Sequence, residues 1–89
     1  MTTEAPAYRK LSVIVPVFNE RNTLQEIVRR MRAVELPVEL EILIVDDGSS
    51  DGTRKILPQL EDSTVRVLLH PENRGKGAAI RTGLSLIHI

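Results

Sequence analysis

Two adjacent carboxylates close an apolar run. Ile42, Leu43, Ile44 and Val45 lead into Asp46 and Asp47, and the tight string Gly48-Ser49-Ser50-Asp51-Gly52-Thr53 follows at once. The carboxyl end of a buried parallel strand, beside a turn that opens a helix, is where open α/β sheets bind ligands. A carboxylate held there accepts hydrogen bonds from a base N–H or from ribose hydroxyls. A second apolar run ends in a matching string, Val15-Pro16-Val17-Phe18-Asn19-Glu20. Together the two strings suggest a nucleotide pocket. In a third string, His70 to Ala79, Lys76 stands between Gly75 and Gly77 where a helix is expected to open, a position suited to a diphosphate.

Each residue also has a structural reading. Asp46 reads equally as a turn residue, because Asp and Ser satisfy local backbone groups in turns. For Asp47 the matched strings put ligand binding ahead. Pro16 is expected to stop ladder pairing, a role compatible with lining a pocket. Asn19 is expected to hold its loop through its side chain. Gly48 and Gly52 are read as backbone devices for positive φ, and Asp51 as a helix cap. Lys76 reads equally as a solvated loop lysine, and Arg74 and Arg81 are weaker candidates. His70 reads as a loop residue rather than a catalytic base.

The elements that must position these residues follow from periodicity. Leu11 to Val17 is a near-continuous β-branched run, the pattern of a strand covered on both faces in a parallel sheet. Asn22, with Gln25 three residues later, predicts a capped helix carrying Leu24, Ile27, Val28 and Met31 on one face and arginines on the other, a solvated face. Leu36-Pro37 ends it. Glu41 to Val45 is the second strand. A short helix from about Gly52 is expected to kink or restart at Pro58. Val65 to Leu69 is the third strand, and a last helix begins near Gly77. The order β-α-β-α-β-α predicts a three-layer α/β/α arrangement around a parallel sheet.

The 89 residues suit one small domain. Twelve Lys and Arg balance twelve Asp and Glu, which argues against bulk attraction to nucleic acid or to an anionic membrane. The absence of cysteine removes disulfides and thiolate metal sites. No apolar run approaches membrane-spanning length, and the amino terminus lacks a signal-peptide core, so a cytoplasmic location is expected. Residues 1–10 are expected to form a flexible leader, and 11–83 the domain. Residues 84–89 (LSLIHI) match what a transposon-derived sequencing adapter encodes in one reading frame, and are expected to be a non-native tail holding His88. Their alternative is an ordinary helix end.

In order and spacing, the three strings resemble the N-terminal half of the family-2 glycosyltransferases, which adopt the GT-A fold. The third is most similar to the polyprenyl-phosphate (dolichyl-phosphate) hexosyltransferases. The resemblance runs from about Leu11 to Gly83. It implies a Rossmann-like donor-binding half, truncated, in which Asp47 hydrogen-bonds the nucleobase and Glu20 lies against base or ribose. Pro16, Phe18 and Val45 would line the nucleoside pocket. The implied donor is a UDP- or GDP-sugar, and the parent enzyme would transfer a hexose with inversion to an acceptor such as a polyprenyl phosphate.

The family's Asp-x-Asp motif, which holds a divalent metal (Mg or Mn) against the diphosphate, does not follow Gly83, and neither does a downstream carboxylate base. The polypeptide is therefore expected not to catalyse transfer alone. Two alternatives stand behind this reading. One is a non-catalytic nucleotide-binding module, which an exposed sheet edge makes doubtful. The other is a receiver-type phosphoacceptor domain, further behind because the acidic pair follows the second strand and no aspartate ends the third.

Overall fold

A computed structural model of the chain describes residues 10–87. Most of the expected leader, and His88 and Ile89 of the expected tail, lie outside the described residues. Six elements alternate: β1 (Lys10–Val17), α1 (Leu24–Ala33), β2 (Glu39–Asp47), α2 (Thr53–Leu60), β3 (Val65–His70) and α3 (Lys76–Leu84). The strands form one parallel sheet in the order β1-β2-β3.

Strand side chains alternate between faces, and this sheet uses both. Val15, Val17, Ile42, Ile44, Val65 and Val67 face a layer made by Leu24, Val28 and Met31 of α1 and Ile56, Leu57 and Leu60 of α2. On the opposite face α3 packs closely enough that a Cβ on Gly83 would lie 2.7 Å from Ile14 Cγ2. The result is the expected three-layer α/β/α arrangement. Ile42, Leu43, Ile44 and Val45 are wholly buried, which is why that run reads as continuously apolar rather than alternating. Burying each large side chain contributes about 1.5–3 kcal/mol. The α3 face turns polar at the amino end of the strands, where Glu41 accepts from Ser12 Oγ at 2.9 Å and lies 3.7 Å from Lys10 and 3.5 Å from Arg66.

Several element ends differ from expectation. Lys10 opens β1, paired with Glu39, rather than closing a leader. Pro16 does not stop pairing: Pro16 aligns with Val45, and Val17 with Asp46. β1 is an edge strand, where a proline nitrogen turned to the open side removes no ladder bond. β2 begins before Glu41 and runs on through both aspartates. Asn22 does not cap α1. Thr23 precedes the helix without a side-chain cap, and the Glu20 carbonyl accepts from Thr23 and Leu24 N–H instead. α2 continues through Pro58 to Leu60, with Leu57 buried in the core. α3 starts at Lys76, one residue before the expected glycine. Leu84 closes α3, followed by a turn in which Ser85 N–H bonds the Arg81 carbonyl.

Candidate functional site

Three loops leave the carboxyl ends of the strands, and each is tied to the next. Asn19 takes φ +54, a left-handed conformation that asparagine tolerates. From there its N–H donates to Ser49 Oγ at 2.9 Å, and its Oδ1 accepts from Ser50 N–H at 2.8 Å. Glu20 N–H donates to Thr53 Oγ1 at 3.1 Å, and Arg21 N–H to Asp51 at 3.2 Å. Asp51 also accepts from Thr53 N–H and the Thr53 hydroxyl, so it organises the entry to α2. These bonds join the loop after β1 to the loop after β2. The loop after β3 lies directly on Gly48. At φ +80 a Cβ there would stand 2.4 Å from Asn73 N and 2.6 Å from the Glu72 carbonyl carbon. Only glycine meets both demands.

Asp46 and Asp47 end β2 and face opposite layers. Asp46 lies on the α1/α2 face, fully buried. It accepts from Ser49 N–H at 3.3 Å, from the Ser49 hydroxyl, and from Arg54 Nε at 2.7 Å. Arg54 also donates to the His70 carbonyl, so Asp46 fastens α2 to the tip of β3. Asp47 faces α3. Its Oδ1 accepts from His70 Nδ1 and from Arg74 N–H, both at 2.9 Å, and its Oδ2 from Gly75 N–H at 2.8 Å. The His70 ring bond, then the Arg74 N–H, hold the Asp47 carboxyl below the usual carboxylate range against the opposing effect of burial.

A cleft of about 450 Å³ opens over these tips. Of the residues singled out in the sequence, Pro16, Phe18, Glu20, Asp47 and Lys76 line it. Phe18 is 46% exposed and lines it. The Glu20 carboxylate is oriented by the Thr23 hydroxyl at 2.5 Å. Lys76 is the first residue of α3, preceded by Gly75 at φ +95, so the positive end of the helix dipole and a lysine stand on one rim of the cleft. Val45 and Asp46 do not line the cleft: Val45 is enclosed in the sheet and Asp46 points to the other layer.

Val17, Asn73 and Gly75 complete the lining. His70, expected in a loop, instead ends β3 as a buried residue between Asp47 and Thr82 of α3. Sequence spacing carries no signal for that contact, which joins residues on three different elements. Among the described residues no group of three or more His, Cys, Asp or Glu comes together to hold a metal. None of their helices is long and apolar enough to cross a membrane.

The model of glycosyl transferase family 2 matches residues 12–87. The chain belongs to that family. Among similar glycosyltransferases are proteins named undecaprenyl-phosphate 4-deoxy-4-formamido-L-arabinose transferase. The one from Klebsiella pneumoniae is 40% identical over 85 residues, covering 90% of this chain and 26% of the relative. That from Salmonella paratyphi A is 39% identical over 87 residues, covering 92% of this chain and 27% of the relative. The chain thus spans about a quarter of the length of these relatives. The glycosyltransferase family match includes all three loops that build the cleft.

Proposed function

We propose that the cleft receives the nucleoside diphosphate of a sugar donor, and that the whole enzyme transfers the sugar to a polyprenyl phosphate with inversion. One observation carries the reading: Glu20 and Asp47, from the tips of neighbouring strands, and Lys76, from the start of α3, line a single cleft. An ionised carboxylate is an acceptor with about four lone-pair positions. Three at Asp47 are taken by His70, Arg74 and Gly75, which leaves one for a base N–H. Glu20 and Phe18 offer a ribose acceptor and an apolar ring. Lys76 and the start of α3 oppose diphosphate charge.

In the transfer, an acceptor phosphate oxygen forms a bond to the anomeric carbon as the bond from that carbon to the diphosphate oxygen breaks. The nucleoside diphosphate leaves from the opposite face. This chain's part is to bind and orient the donor, and no residue in it is assigned as a catalytic base. A divalent metal, Mg²⁺ or Mn²⁺, belongs to the proposal for the whole enzyme, but the described residues contain no cluster to hold one, and no step here is routed through it. The relatives' names support a polyprenyl phosphate acceptor. Their sugar is a modified arabinose, so the donor is proposed as a UDP- or GDP-sugar, with hexose as one case. A polyprenyl phosphate acceptor is a membrane lipid, so the site of work is proposed at a membrane, on its cytoplasmic face.

Calorimetric titration with UDP and with GDP tests the donor site, and transfer of labelled sugar to polyprenyl phosphate by the full-length enzyme tests the reaction. Binding of one nucleotide that Asp47→Ala abolishes is the expected result. Equal affinity in wild type and Asp47→Ala, or no binding of either nucleotide, overturns the reading.

A further inference from the structure

Asp47 cannot serve a ligand unless its carboxylate is held in one orientation, and the group that holds it from behind is a buried histidine whose two ring nitrogens are both engaged. His70 Nδ1 lies 2.9 Å from Asp47 Oδ1, and His70 Nε2 lies 2.8 Å from Thr82 Oγ1. We propose that His70 is a positioning residue for the Asp47 carboxylate and that Thr82 anchors the ring at its other nitrogen. The inference rests on the nucleotide-binding reading of the cleft.

The hydrogen-bond logic runs in one direction. An ionised carboxylate only accepts, so Nδ1 must carry the proton it shares with Asp47. In the neutral ring Nε2 is then an acceptor, and the Thr82 hydroxyl, the group within reach, donates to it. Thr82 stands on α3, one residue before Gly83, where the helix makes its close approach to Ile14 of β1. The seat of α3 on the sheet thereby fixes Thr82, Thr82 fixes the ring, and the ring fixes Asp47. His70 is 7% exposed and does not line the cleft, so it acts through Asp47 and touches no ligand. The orientation matters because Oδ1 is filled by His70 and Arg74 while Oδ2 has only Gly75. The remaining acceptor position is on the oxygen that Gly75 binds, and a carboxylate tilted out of the plane these three donors define would lose that alignment.

The test uses the full-length enzyme, with UDP and GDP as calorimetric probes and histidine ¹⁵N NMR as an independent readout. Wild type is expected to show His70 with its proton on Nδ1, and Thr82→Val, which removes the anchor at Nε2 but leaves Asp47 in place, to keep that proton there and weaken nucleotide binding. His70→Leu keeps bulk but removes the donor, and is expected to weaken nucleotide binding at least tenfold. His70→Asn, whose amide N–H can take the place of Nδ1–H, is expected to restore most of that loss. Rescue by Asn separates positioning from packing, because Asn fills the space less well than Leu. If His70→Leu binds as wild type while Asp47→Ala does not bind, the positioning role is overturned and the donor site stands. If His70→Asn is as weak as His70→Leu, or the wild-type ring is the Nε2–H tautomer, the proposal also falls. If wild type binds neither nucleotide, the donor-site reading fails and takes this inference with it.

Discussion

Asp46 and Asp47 are consecutive residues whose carboxylates lie on opposite faces of the sheet, one paired with Arg54 of α2 and the other with His70 and the loop that opens α3. The strand runs on through both residues, so the pleat that sorts every other side chain in β2 sorts these two as well. One acidic pair therefore does two jobs. Asp46 locks the α2 layer to the tip of β3, while Asp47 orders the cleft wall and, in the proposed donor site, keeps an acceptor for a ligand.

The two aspartates should separate by phenotype. Asp47→Asn places an amide N–H against the Arg74 and Gly75 donors or the His70 ring. Hydrogen bonds to charged groups are worth about 1.5–3 kcal/mol, so nucleotide affinity should fall by one to two orders of magnitude. Calorimetry with UDP and GDP measures this directly.

On the other face, Arg54→Leu leaves a wholly buried Asp46 carboxylate without its cation. Removing one partner of a buried pair costs about 3 kcal/mol or more. Arg54 is itself about one-third exposed, so the lower end is expected. Arg54→Leu combined with Asp46→Asn should be less destabilised than Arg54→Leu alone, because the orphaned charge is gone. Denaturant unfolding of the wild type and the two variants checks the order.

Gly48→Ala tests the contact between the second and third loops. It forces a side chain at φ +80 and into the backbone of Glu72 and Asn73. The left-handed conformation alone costs about 1–2 kcal/mol, and the backbone cannot yield without moving the cleft wall. Both the unfolding midpoint and nucleotide affinity should drop. A variant with wild-type values in both would show that the loops do not meet as described.

Gly83→Ala tests the seat of α3. Its methyl would lie 2.7 Å from Ile14 Cγ2, and overpacking of this kind costs about 1–3 kcal/mol. Ile14→Ala makes room, so the double variant should be more stable than the sum of the single losses requires. Thermal unfolding of the four forms gives the coupling.

Acid should destabilise the fold through its paired carboxylates. The Arg32 guanidinium, followed by the Val65 and Thr64 N–H groups, lowers Asp62 from 3.8 to about 2. Arg29 and Arg30 lower Glu26 from 4.5 to about 2. A folded-state pKa below the unfolded one means that the stabilisation is complete above the unfolded value and lost as pH falls through the folded one. The loss is therefore expected between about pH 4.5 and pH 2, and Asp62→Asn should flatten part of it. Thermal midpoints recorded across that range give the comparison.

The alternation of elements, the parallel sheet and the cleft position were legible in the sequence because they depend on local chemistry. Unbroken β-branched runs mark buried strands, glycines mark turns, and strings such as Pro16 to Glu20 and Asp47 to Thr53 mark strand tips. Strand ends were less legible: Pro16 and the two aspartates look like terminators, yet pairing with a neighbouring strand carries both strands through them. The opposite allegiance of Asp46 and Asp47, the removal of Val45 from the cleft, and the burial of His70 between Asp47 and Thr82 were decided by tertiary structure alone. Each depends on which face a side chain takes and which distant element covers that face. These relations exist only once the helices have packed, because residues 23 and 12 positions apart, Asp47 to His70 and His70 to Thr82, share no local signal.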